Sequence, residues 1–357
     1  MAGRFIWRRF DEIDLSDAFF DPLKADYPEF VEWFGRKARE QQSALTYVDD
    51  EGVGAFVYYK EENEAIALQE RTLAAMPRLK IGTLRLAERI RNLRLGEGAI
   101  GVCLWKWRDL GYQQVYVTVF EKQNQLISVL EKFGFELVGH KANGECVYVK
   151  DKNNMDMSSV YGVFPYLIQP YTYAGILPIM AEFHDKLFPY SELHGVSYAQ
   201  AVEDAAGNGI TKVYIAMPSS ELSYYEGEPV AFYRIATENK TYKSVVTSYG
   251  RIRRVIRVRD VNNTFISMEE YLTCVGNKSI FSEAQLKSFY YSNRNVYVIE
   301  LIYCGFFGAG NNVTHHDMKQ AGLFESYPYH IRYDMQKFNK LLEMGGINVQ
   351  GAFINKS

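Results

Sequence analysis

RLKIGTLRLAERIRNLRLGEGAIGVCLWKWRDLGYQQVYVTV, residues 78–119, decides how the first part of this chain folds. Its opening, RLKIGTLRL, reads as a strand with Leu79, Ile81, Thr83 and Arg85 on one side. A short basic loop containing glycine follows, then a helix from about Gly96 to Leu110, stopped by Gly111, and a second strand, QQVYVTV. The start of such a helix has unpaired backbone N–H groups and a partial positive charge. Glycines let a phosphate approach the backbone, and flanking arginines add charge-assisted hydrogen bonds. Arg91, Arg94, Gly96 and Gly98 gather at that point, a grouping suited to a diphosphate.

Downstream, a helix from about Gln123 to Phe133 is ended by Gly134, and FELVGH and GECVYVK form a strand pair. Upstream, Phe30, Trp33, Phe34 and Ala38 recur at helical spacing between about Pro28 and Gln41. SALTYVDD and VGAFVYYK then read as two strands joined by a tight acidic turn, and EENEAIALQERTLAAMP as a charged connection.

This order of elements resembles the GNAT N-acetyltransferase superfamily. The family's Arg/Gln-x-x-Gly-x-Gly/Ala signature aligns with Arg91-Asn-Leu-Arg94-Leu-Gly96, and its downstream text with QNQLISVLEKFGF. The resemblance implies an α/β GNAT fold over residues 1–150. It further implies that amides from Leu93 through Arg94, Leu95, Gly96 and Glu97 to Gly98 hold the pyrophosphate of acetyl-CoA. Gly82, Thr83, Leu84 and Leu86 would bind the pantetheine arm, with Asn124 beside the cofactor. Two residues depart from the pattern. Arg94 stands where the loop usually has its first glycine, and Leu130 where many members carry a tyrosine that protonates the leaving thiolate. GNAT chemistry is direct attack of a neutral amine on the thioester, assisted by a base or a water chain. No Glu lies on the 78–86 strand, so Glu121 is the nearest candidate base and Tyr116 the nearest substitute acid. The plainer reading of Glu121 is a solvated loop charge, and that of Cys103, Trp105 and Trp107 is packing.

The polar stretch DKNNMDMSSVYG, residues 151–162, reads as a linker. Beyond it, over 163–357, the text turns to closely spaced strands: ITKVYIAMP, EPVAFYRIA, YKSVVTSYGRIRRVIRV and NVYVIELIYCGFF. GILPIMAEFHDKLFP and YAQAVEDAAGN have helical character, as do SMEEYLTCV, SEAQLKSFYY, 314–321 and 335–344. GEPVAFYRIA, VTSYGRIRRV and the aromatic strand resemble the PUA-like superfold in its ASCH and EVE branches. That resemblance implies an α+β domain built on a small β-barrel and able to bind RNA or modified bases.

On a regular strand Arg251, Arg253, Arg257 and Arg259 share one face, a ladder suited to phosphates or, equally, to protecting an edge strand. Tyr233, Arg234, Lys243 and Ser244 could line a base pocket, with Tyr233 as plain core the safer reading.

A length of 357 residues suits two domains, and 47% hydrophobic with 23% charged residues is ordinary for a globular protein. The net charge of −3 excludes a generally basic duplex-DNA binder. Cys103, Cys146, Cys274 and Cys304 lie far apart, so buried thiols in a reducing compartment are expected and no metal. The adjacent His315 and His316 diverge on a helix and do not easily share an ion. No membrane span or signal peptide is legible, which points to the cytoplasm. The combined expectation is an acetyl-CoA-dependent N-acetyltransferase whose second domain recruits RNA, tRNA or a protein substrate. The alternative is a non-catalytic nucleic-acid binder with a degenerate, CoA-sensing GNAT domain.

Overall fold

A computed structural model describes residues 4–191 and 205–355. Most of the expected helix YAQAVEDAAGN lies outside the described residues, as does the side chain of Arg91. Two compact units divide between Met155 and Asp156. No helix among the described residues is long and apolar enough to cross a membrane.

In the first unit the strands are β1 (Arg4–Arg9), β2 (Ser43–Asp49), β3 (Gly52–Glu62), β4 (Ile66–Ala67), β5 (Thr72–Leu73), β6 (Arg78–Leu86), β7 (Gln114–Val119), β8 (Glu136–His140) and β9 (Cys146–Asp151). The helices are α1 (Asp21–Asp26), α2 (Phe30–Arg39), α3 (Leu95–Leu110) and α4 (Asn124–Lys132). The main sheet runs β1-β2-β3-β6-β7-β9-β8, and β4 and β5 pair as a separate small hairpin within the expected charged connection. Only β6 and β7 are parallel neighbours, joined through α3. That helix is buried nearly all round, from Leu95 and Ala99 to Trp105 and Trp107, because Gly98, Ala99 and Gly101 allow a close approach. Phe10, Phe20, Phe30, Phe34, Phe56 and Tyr58 form the core beneath α1 and α2.

The second unit contains β10 (Leu167–Gln169), β11 (Ala174–Met180), β12 (Thr211–Ala216), β13 (Pro229–Ile235), β14 (Val245–Arg259), β15 (Val296–Phe306), β16 (Val313–Thr314), β17 (Arg332–Tyr333) and β18 (Phe353–Asn355). Its helices are α5 (Ala181–Leu187), α6 (Ala205–Asn208), α7 (Lys240–Lys243), α8 (Met268–Val275), α9 (Glu283–Tyr290), α10 (His315–Gln320), α11 (Met335–Met344) and α12 (Val349–Ala352). The first half of GILPIMAEFHDKLFP is therefore a strand, not a helix. Every residue from Ala174 to Ile179 is buried, the pattern of a strand covered on both faces.

The sheet order is β12-β15-β14-β13-β11-β17, with β16 also paired to β14. Among the described residues this path is open, so the expected closed barrel is not formed by the pairing. The helices α8 and α9 begin with capping boxes at Ser267/Glu270 and Ser282/Gln285. They cover Val213, Ile215, Val258, Val296 and Val298.

Candidate functional site

The candidate site begins with a defect in β6. Its pairing with β3 passes from Tyr58↔Thr83 to Tyr59↔Ile81, so Gly82 is an extra residue, a β-bulge. Directly paired residues point to the same face, and Phe56 and Tyr58 belong to the aromatic core. Thr83 and Arg85 therefore face that core, while Leu79 and Ile81 face the opposite side. The expected common face of Leu79, Ile81, Thr83 and Arg85 is corrected by one inserted residue. Arg85 accordingly stacks over the Phe19 ring at 5.2 Å and donates from Nε to the Phe19 carbonyl at 2.8 Å.

The bulge also ends the pairing of β6 with β7. That ladder runs from Arg78↔Gln114 to Ile81↔Val117 and stops. Burial follows it: Leu79 and Ile81 are fully buried, while Gly82 is exposed and Thr83, Leu84 and Leu86 are half-buried. A central strand with a partner on each edge would not lose burial in mid-course. Gly82–Leu86 thus lines a groove between two diverging strands, with peptide groups that β3 does not use.

The groove leads to the start of α3. A 3-10 turn, Glu88–Leu93, delivers the chain to Arg94, which takes the left-handed conformation at φ 57°. An L side chain there costs about 1–2 kcal/mol, and glycine avoids most of that cost. The loop follows a path suited to glycine with an arginine in place. No side chain caps the helix. A Cβ on Gly96 would come no closer than 3.8 Å to Leu86, so internal packing does not require glycine there.

Arg94 is not free to take a phosphate. Its Nη2 lies 2.9 Å from Glu97 Oε2, with both side chains largely buried. Lys132 Nζ approaches the same carboxylate at 3.9 Å. Arg89 is bound to Asp49 at 2.6 Å and to the Gly52 carbonyl at 3.0 Å. Arg94 thus engages a carboxylate through Nη2 while its buried Nη1 has no partner, and the side chain of Arg91, the other arginine expected in the grip, lies outside the described residues. The helix-start backbone is left for an anion, at the half-buried pair Gly96 and Glu97 between buried Leu95 and Gly98.

The candidate acid and base stand in different surroundings. Tyr116 is 2% exposed and packs with Ile66, Val147 and Val149, with the Lys80 ammonium 5.4 Å from its ring centre. That position is core, not groove, which corrects its assignment as acid. Leu130 is fully buried. Asn124 is exposed at the first turn of α4. Glu121 lines a cavity of about 410 Å³ with Ala25, Asp26, Phe120, Lys122 and Gly144. Across it Lys122 Nζ meets Asp26 at 2.6 Å.

Glu145, next to Gly144, escaped sequence reasoning. It is 5% exposed and accepts from Tyr27 Oη at 2.9 Å, Thr118 Oγ1 at 3.1 Å and Asn143 Nδ2 at 3.0 Å. Those donors come from the end of α1, from β7 and from the β8–β9 turn, so one carboxylate ties the cavity's walls together. Burial, and then the Glu145 charge, push the Tyr27 hydroxyl far above its ordinary value, leaving it a donor. The only sequence signal was an isolated Glu after a turn glycine, a very common pattern.

The proposed RNA contacts are rearranged by two bulges in β14, between Ile252 and Arg254 and between Arg257 and Arg259. Arg253 and Arg254 both reach Glu300, at 2.5 and 3.5 Å, and Lys278 reaches it at 2.8 Å. Arg257 pairs with Glu221 at 2.7 Å and Asp260 at 3.0 Å, and Arg259 donates to the Tyr290 carbonyl at 2.9 Å. Arg251 is 6% exposed. The single-face ladder is corrected, because each bulge breaks the period of two. Tyr233 is buried and bonded to His315 at 2.9 Å, and Arg234 grips Asp185 at 2.8 and 2.9 Å. Ser244 is buried, and the carbonyl of Lys243 accepts from Arg234. Tyr233 and Ser244 are thus interior and Arg234 is engaged by Asp185, while the Lys243 side chain is exposed.

No family model and no curated protein matches the chain. Solved structures resemble parts of it. An N-acetyltransferase from Staphylococcus aureus Mu50 shares 13% identity, with 42% of this chain and 99% of that chain covered and a TM-score of 0.31. The paiA N-acetyltransferase from Thermoplasma acidophilum, in complex with coenzyme A, gives 13%, 42%, 99% and 0.28. A mutant of ZmASCH from Zymomonas mobilis gives 11%, 47%, 94% and 0.30. At these TM-scores, the ground for a functional reading is the site's own residues.

Proposed function

We propose that the first unit binds acetyl-CoA and transfers its acetyl group to an amine. The observation that carries this reading is the divergence of β6 from β7 at the Gly82 bulge, directly ahead of a helix start with no side-chain cap. A diphosphate would lie on the amides of Leu95 and Gly96, ahead of the Gly98 amide that the Arg94 carbonyl already holds, where the helix start is electropositive. The pantetheine arm would pair with Gly82–Leu86 as a strand pairs with an edge. The acceptor would enter by the cavity lined by Asp26, Lys122 and Glu121, where Lys122 pairs with Asp26 and the Glu121 carboxylate suits a cationic amine. Glu121 takes the proton that the ammonium must lose. The amine nitrogen then forms its bond to the acetyl carbon as the carbon–sulfur bond breaks, and strand amides steady the oxyanion. With Leu130 buried, the thiolate takes its proton from water.

A second reading, binding of CoA without transfer, is favoured by that same buried leucine. Recruitment of RNA, tRNA or a protein substrate by the second unit is proposed only as a function of the whole chain, since the β14 arginines are internally paired. Acetyl-CoA should raise the melting temperature, and thiol release should appear with a panel of amines, tRNAs and proteins. No thermal shift at saturating acetyl-CoA sinks both readings. A shift without thiol release leaves the sensor.

A further inference from the structure

Cys146, His140 and Glu121 are separated in sequence but brought together by strand register. His140 and Cys146 are cross-strand partners between β8 and β9, and Cys146 is also the partner of Val119 at the end of β7, two residues before Glu121. One ligand atom from each, a sulfur, a ring nitrogen and a carboxylate oxygen, lies within 4.8 Å of the others. Cys146 is buried, His140 intermediate and Glu121 exposed, so the group has a dry floor and an open mouth.

A second observation concerns the histidine. Its Nδ1 lies 3.4 Å from Glu70 Oε1, and its backbone is tied to the same turn: His140 N to Glu70 Oε2 at 3.4 Å, and Gln69 N to the His140 carbonyl at 2.8 Å. A carboxylate on one ring nitrogen fixes the tautomer and aims the other nitrogen at a metal, an arrangement common around metal-binding histidines.

We propose that Glu121, His140 and Cys146 form a three-ligand site for Zn2+ or a similar late transition-metal dication. Thiolate and imidazole select such ions over Ca2+ and Mg2+, which prefer oxygen alone. Tetrahedral bonds of about 2.0–2.3 Å to one ion suit ligand atoms that lie within 4.8 Å of one another, with the exposed Glu121 side chain able to adjust. Binding releases the Cys146 proton to solvent and leaves a fourth position for water. Metal binding itself does not require acyl transfer, although Glu121 is shared with it. It bears on the proposed transfer, and rests on that reading, in one respect: a metal ion holding Glu121 removes the carboxylate from the amine's cavity, so loading should inhibit.

The test uses the full chain, stripped with EDTA and titrated with Co2+ and then Zn2+. One equivalent of Co2+ should produce thiolate-to-cobalt charge-transfer absorption that Zn2+ abolishes. Cys146→Ser should lose that absorption and bind Zn2+ at least tenfold more weakly. His140→Gln should weaken Zn2+ in the same way, and it serves if the serine variant fails to fold. Glu70→Gln should cost about tenfold. Absence of the charge-transfer band, or its persistence in Cys146→Ser, overturns the site. No transferase activity in the metal-free protein, with the cobalt spectrum intact on loading, overturns only the transfer reading.

Discussion

The chain contains two arginine-rich runs, RIRNLR at 89–94 and RIRRVIR at 251–257, and the structure uses them differently. In both, arginines meet carboxylates: Arg89 reaches Asp49, Arg94 Glu97, Arg253 and the exposed Arg254 Glu300, and Arg257 Glu221 and Asp260. The backbones differ. The first run leads into a helix start, which cannot satisfy its own leading amides. The second lies in β14, paired with β15 along its length and with β13 only at Arg251, so the sheet consumes its peptide groups on one edge. The first region is suited to hold an anion through its main chain. The second contributes to stability. Similar composition therefore indicates little until the hydrogen-bonding state of the backbone is known.

This contrast can be broken most severely at Glu300. Burial disfavours its charge, but Lys278, Arg253 and Arg254 hold its carboxyl below the ordinary range. Glu300→Ala leaves three cations around a buried gap and should cost about 3 kcal/mol, read by urea denaturation, with acetyl-CoA affinity unchanged. Because the folded carboxyl is the stronger acid, this stabilisation is present above the unfolded value and is lost as pH falls below about 4.5.

Gly96→Asp is the converse. A carboxylate facing the diphosphate should weaken acetyl-CoA by on the order of 100-fold, about 3 kcal/mol, in calorimetric titration. The melting temperature should hold, because a Cβ at that position makes only ordinary contact with Leu86. Equal loss of stability and affinity would remove the distinction between the two regions.

Glu228 sharpens the contrast from the stability side. It is fully buried, Oε1 has no partner, and burial pushes its carboxyl up to about 7. The folded state holds its proton more tightly than the unfolded state, so the group favours folding below its unfolded value, and that contribution is lost as pH rises through about 7. Glu228→Gln should stabilise the protein at pH 8 by about 2 kcal/mol and change little at pH 4. A thermal-melt series across pH measures both. Smallest is Glu97→Gln, which releases Arg94 toward the groove and removes a negative charge from the helix start. Acetyl-CoA should bind about threefold tighter, a gain of a few tenths of a kcal/mol to about 1 kcal/mol.

Much of the first unit was legible in sequence. The span of β6 matches RLKIGTLRL, and α2, α3 and α4 fall within two residues of their expected ends. Strong periodicity and glycine stops carry that information locally. In the second unit, α11 falls on the expected 335–344 segment and β12 to β15 on the expected strands. β11 shows no alternation because both its faces are buried, and β1, β10, β17 and β18 carry little pattern because they are short or charged. Of the site, the helix start and the Gly82–Leu86 strand were readable. The positions of Tyr116, Arg94, Glu145 and the β14 arginines were not.

The physical division is clear in those cases. The sequence by itself determined where the strands and helices lie and which turn leaves amides unpaired, since backbone geometry and hydrophobic spacing act over a few residues. Only the tertiary structure decided which face each side chain takes and which charges meet. A single bulged residue, at Gly82 or in β14, reverses the alternation beyond it, and partners such as Glu145 with Tyr27 or Cys146 with His140 meet through register across strands.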